Sequence, residues 1–179
     1  MNSYRKLPPM AAILLSALAC AASPARASDD SALPDGIANA TFSGTEYGAV
    51  TLSNGAWEGE PWVAGGAARP RVGLARDFIR YGDVDADGDD EALVIVWESS
   101  GGSGTFNYVA LVDHGDGGWR NTATTALGDR VKVTDASIGA DGVTVDVIEH
   151  DEDDPACCPT RAATRRYDAN LNEITETEH

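Results

Sequence analysis

From Tyr47 onward, short β-branched and aromatic runs alternate with Gly-, Asn- and Asp-bearing turns at spacings of about 8–14 residues. No segment keeps apolar residues at i, i+3, i+4 and i+7 for the roughly ten positions a helix needs. The chain is thereby confined to β structure, with candidate strands at 48–53, 56–60, 71–81, 91–98, 105–113, 118–126, 130–138, 142–150 and 162–168. Asn54-Gly55 and Asp141-Gly142 are hairpin signals, because these residue types tolerate positive φ. Ala92-Leu93-Val94-Ile95-Val96-Trp97 is continuously apolar, as a central strand covered on both faces would be. Val143, Val145 and Val147 alternate with Thr144 and Asp146, which gives that strand one wet face, and Val131 and Val133 flank Lys132 in the same way. The expected class is all-β: a mostly antiparallel meander forming a sandwich or an open barrel. Trp57, Trp62, Trp97 and Trp119 are expected to pack within the core and between strands rather than to line a ligand surface.

The N-terminus has a different character. Arg5 and Lys6 precede an apolar run from Met10 to Ala22, too short to span a bilayer but suited to a secretory signal. Ala25-Arg26-Ala27 is a small-residue cleavage site, so residues 1–27 are expected to be a signal peptide. The competing expectation is a lipid anchor at Cys20, although Ala17 stands where a lipobox wants a large aliphatic. No other stretch is long and apolar enough to be a transmembrane segment. Residues 28–40, small and polar with Pro34 and Gly36, read as a flexible leader, and 41–179 as a single β domain. Export implies a periplasmic or secreted location, or a lipid-anchored one if Cys20 is acylated. Cleavage removes three of 13 basic residues and none of 29 acidic ones, taking the formal charge from −16 to −19. Such a surface repels nucleic acid and anionic lipid. Solubility accounts for scattered acidity, but two clusters are not scattered.

The first cluster is Asp83-Val84-Asp85-Ala86-Asp87-Gly88-Asp89-Asp90-Glu91, which leads straight into the apolar run. Carboxylates at positions 1, 3 and 5 with glycine at 6 form the first half of a calcium loop, since alternate side chains converge while glycine permits the sharp turn. An EF-hand needs a bidentate glutamate at position 12, where this chain has Val94, so the loop is of another kind. With Glu91 at position 9, it resembles the calcium loops of FG-GAP repeats and integrin-type propeller blades, where the ion sits in a β-hairpin connection. That resemblance implies side-chain ligands from Asp83, Asp85, Asp87 and Glu91, and a backbone carbonyl from Asp89. A single copy excludes a complete propeller. A solvated acidic turn without an ion is the alternative.

The second cluster, His150-Asp151-Glu152-Asp153-Asp154-Pro155-Ala156-Cys157-Cys158-Pro159, holds the two cysteines that remain after export. In an oxidising compartment adjacent cysteines can close a vicinal disulfide, and the flanking prolines help fix so tight a turn. Reduced thiols binding a soft metal with His150, or bonds to other chains, are the competing states. Gly101-Gly102-Ser103-Gly104 lacks the order of a nucleophile elbow and the lysine of a phosphate loop. His114 and His179 have no neighbours that suggest a triad or zinc site.

The signal, Thr51-Leu52-Ser53-Asn54-Gly55, the loop from Gly82 to Glu91, Gly101 to Ala110, Leu127-Gly128-Asp129-Arg130-Val131 and Asp154-Pro155-Ala156-Cys157-Cys158-Pro159-Thr160 together resemble a group of uncharacterised secreted proteins and lipoproteins of bacteria. The resemblance covers most of the chain beyond the signal and implies no activity. Function is therefore expected to be that of an exported, calcium-stabilised, non-catalytic β domain binding a protein or glycan of the envelope or beyond. The alternative is a secreted hydrolase using its carboxylates or a thiol-redox protein using Cys157 and Cys158.

Overall fold

The computed structural model describes residues 33–115 and 117–174. The signal peptide, Cys20, residues 28–32 of the leader and His179 lie outside the described residues.

The fold is all-β and antiparallel throughout. Consecutive strands β3 (Ala56–Glu58), β4 (Arg71–Gly82), β5 (Glu91–Ser99), β6 (Phe106–Gly115) and β7 (Gly118–Asp129) form one five-stranded meander in sequence order. A second meander joins β8 (Lys132–Gly139), β9 (Gly142–Glu149) and β10 (Arg161–Tyr167). A hairpin of β1 (Thr41–Thr45) and β2 (Gly48–Thr51) follows a single helical turn, α1 (Asp35–Ala38). Both faces of the five-stranded sheet are covered, an arrangement consistent with a sandwich or an open barrel.

Strand periodicity explains the layering. Ala92, Val94 and Val96 of β5 face the hairpin side, in one core with Phe42, Val50, Leu52, Val72 and Ala110. Leu93 and Ile95 face the other way, toward Val143, Val145, Val147 and Tyr167 of the smaller sheet. An alternating strand is covered on one face; β5 is apolar at every position from Ala92 to Trp97 because it is covered on both.

Three expectations need correction. The flexible leader ends earlier than residue 40: Leu33, Ile37, Ala38 and Ala40 are buried in the hairpin-side core. The short apolar content of this stretch suffices because tertiary packing, not helix propensity, holds one turn. Second, the β8–β9 turn is shifted by one residue. Gly139 pairs with Gly142, so Ala140-Asp141 forms the turn, while Gly142 opens the strand where the expected bounds of 142–150 put it. Gly142 has φ 107 and lies against the Tyr167 carbonyl, where a Cβ would overlap the oxygen. The Asn54-Gly55 turn is as expected, with φ 54 and 84 between bridged Ser53 and Ala56. Third, Trp62 is not a core residue: it is 58% exposed, with its Nε1 donating to the Ser100 carbonyl at 2.7 Å.

Candidate metal centre

The acidic loop closes the β4–β5 hairpin, whose last pair is Gly82 with Glu91. Its base is fixed from two sides. Val84 is buried in the core beneath the smaller sheet, and its N–H donates to Glu91 Oε2 at 3.0 Å. Gly82 lies so close to β8 that a Cβ would sit 2.7 Å from the Ile138 carbonyl oxygen.

Above this base the backbone curls around its own carboxylates. Asp83 Oδ2 accepts from Gly88 N at 3.1 Å, Asp85 Oδ1 from Asp87 N at 3.2 Å, and Asp87 Oδ1 from Asp89 N at 2.9 Å. Gly88 takes φ 100 at no steric cost, whereas Ala86 takes φ 62. A left-handed alanine costs roughly 1–2 kcal/mol and persists only where its surroundings impose it.

The result is convergence. Asp83, Asp85 and Glu91 each offer a carboxylate oxygen, and these oxygens lie within 4.8 Å of one another, a group that could hold a metal ion. Glu91 is 5% exposed, and Asp83 Oδ1 is buried with no hydrogen-bond partner. Burial pushes the Glu91 carboxyl upward, and the charges of Asp85, Asp87 and Asp83 push the same way against the Val84 hydrogen bond. Repulsion at this spacing is roughly 1–4 kcal/mol per charged pair, depending on solvent screening. An orphaned buried oxygen among mutually repelling carboxylates is the donor set that a hard cation satisfies. The Asp87 carboxylate lies outside this three-residue group, and Asp89 was expected to act through its backbone carbonyl rather than its side chain.

The second acidic cluster is built differently. Cys157 and Cys158 are joined as a vicinal disulfide, and both are exposed. Asp154 ties the loop shut by accepting from Asp151 N at 2.8 Å, Thr160 N at 2.7 Å and Thr160 Oγ1 at 2.8 Å. The Asp151 donor is the main cause of its lowered pKa. Among the described residues, His150 and the cysteines do not form a metal-ligating group. His114 packs edge-on against Trp119, with centroids 4.9 Å apart.

Sequence reasoning passed over Glu98, which is 1% exposed. Its carboxylate accepts from the Tyr108 hydroxyl at 2.5 Å and from Glu46 N at 3.1 Å. The signal was available: Glu98 falls in phase with the inward residues 92, 94 and 96 of the same strand. The Tyr108 hydroxyl is driven far up by burial and by this carboxylate, so it stays protonated and donates. Next to Glu46 in the chain, the Tyr47 ring lies 6.0 Å from Trp57 and 6.4 Å from Trp62.

Compared with known proteins, the chain matches no family model, no curated protein and no solved structure at a significant level. What the geometry defines is an antiparallel all-β fold carrying a hairpin loop in which three carboxylates converge. Among the described residues no helix is long and apolar enough to cross a membrane.

Proposed function

We propose that this protein is an exported, calcium-stabilised β domain without catalytic activity, which binds a protein or glycan of the envelope or the extracellular space. The observation that carries the calcium half is the convergence of Asp83, Asp85 and Glu91 around a buried, unpartnered Asp83 oxygen. Calcium takes six to eight oxygens in flexible geometry, so backbone carbonyls, water and Asp87 can complete a shell around three carboxylates, and exposed extracellular modules work at roughly 0.1–1 mM calcium. Support for the binding half comes from the apolar tip Trp62-Val63, exposed by 58% and 71% beside Tyr47. Thermal unfolding in calcium against EDTA tests the reading. At a hundredfold excess over Kd the ion adds about 2.7 kcal/mol, or roughly 5–10 °C for a domain of this size. An unchanged melting temperature removes calcium from the account.

A thiol-redox role is the second reading, favoured by the exposed Cys157–Cys158 bond. It requires that mild thiol reductants open the pair reversibly, read by intact mass after alkylation.

A further inference from the structure

On the opposite face of the five-stranded sheet from the hairpin, an open cleft of about 420 Å³ runs between β4–β5 and the start of β8. Its apolar floor is Ala75, Phe78, Ile95, Val131 and Val133. Arg130 and Lys132 stand in its wall, Cys157 of the disulfide loop closes one side, and no carboxylate lines it. We infer that this cleft binds a small anionic amphiphile: a molecule with a carboxylate or similar anionic head and an apolar tail or ring.

Charge favours an anion in this cleft. The chain has 29 acidic residues, and beyond Lys6 its sole lysine is Lys132, placed in this cleft. Every described arginine has a partner: seven of them salt-bridge to carboxylates, Arg76 donates to the Asn54 carbonyl, and Arg166 is engaged as well. Among the described residues Lys132 alone of the cationic side chains has neither hydrogen bond nor ion pair. An unpaired ammonium beside an acid-free apolar floor attracts an anion where the rest of the surface repels one.

Backbone geometry shapes the cleft for the same ligand. Arg130 has φ 54, where glycine would be unstrained, and is held there by its N–H to the Thr105 carbonyl at 2.7 Å. Its Nη1 bonds Asp129, which leaves other guanidinium donors for a ligand. The floor is likewise made by departures from regular pairing. Leu74 pairs with Val96 and Ile79 with Val94, so Ala75 to Phe78 bulge opposite Ile95 alone. A second irregularity, between Val133 and Asp135, interrupts the facing wall on β8. Bulges re-aim side chains, and here two of them turn apolar groups toward an open cleft.

Titration calorimetry of the full chain in calcium buffer, with decanoate below its micelle concentration, tests the inference. Decanoate is expected to bind once per chain, decanol about tenfold or more weakly, and decyltrimethylammonium not at all. Lys132→Gln, an exposed change that leaves melting unaltered, should weaken decanoate about tenfold, and Ala75→Trp should abolish binding by filling the floor. Equal affinity for decanol, an unaffected K132Q variant, or binding to anionic vesicles without binding of free decanoate would overturn it. Repeating the titration in EDTA separates this site from the metal loop, because the cleft does not depend on the calcium reading.

Discussion

Two acidic loops of similar density end up in opposite physical states. In the 83–91 loop the carboxylates turn inward onto a buried base, and one oxygen is left without a partner. In the 150–160 loop, Asp154 is fully engaged by backbone and hydroxyl donors, Asp151 accepts from Glu152 N at 2.9 Å, and a covalent bond closes the tip. The first loop is incomplete by itself; the second completes itself. Counting carboxylates does not separate a cation site from a self-capped turn, whereas the destination of each oxygen does.

The largest break in this comparison is expected from Glu91→Gln. Glutamine preserves the acceptor for Val84 N but removes the buried charge. In calcium the variant should lose most of the ion's stabilisation, about 2–3 kcal/mol, while in EDTA it should melt higher than the parent because repulsion is relieved. A fall in both buffers would mean that Glu91 serves packing alone. Asp85→Asn and Asp87→Asn sharpen the ligand set: calcium affinity should fall more for Asp85, which belongs to the convergent group, than for Asp87, which lies outside it. Equal losses would restore the set that the FG-GAP resemblance implies.

Effects in the other loop should be smaller and blind to calcium. Asp154→Ala removes three accepted hydrogen bonds, so amides 151–160 should exchange faster while the calcium-induced melting shift is unchanged. The same loop should loosen in acid. Because Asp154 has a folded pKa below its unfolded value, its contribution is present above the ordinary aspartate range and fades as pH falls through the lowered value. Exchange of those amides against pH reads this directly. Smallest of all is Cys157→Ser with Cys158→Ser: joining adjacent residues constrains little unfolded chain, so stability should change by about 0.5 kcal/mol or less.

β5 and β9 were legible because their β-branched residues keep a period over a buried face. Thus β5 and β9 have different patterns for the reason that one is covered twice and the other once. β1 was not legible: Thr41-Phe42-Ser43-Gly44-Thr45 has one fully buried side chain, Phe42, and reads locally as a loop. Its pairing with β2 and packing against β7 supply what propensity does not. In the 83–91 loop, spacing revealed the carboxylates, but which three meet depends on the φ of Ala86 and Gly88 and on Val84 reaching the core. Trp62 was misplaced because an aromatic inside a Gly-rich segment carries no period to show its face. The cleft was invisible for a simpler reason: Phe78, Lys132 and Cys157 are brought together only by tertiary packing.

Calorimetric titration of the metal-free protein with calcium decides whether the 83–91 loop is a cation site left incomplete by protein groups alone. One ion per chain should bind saturably, with a Kd at or below about 1 mM, and binding should be abolished in Asp83→Ala and unchanged in Asp154→Ala. No saturable heat in the parent, or equal loss in both variants, would contradict it.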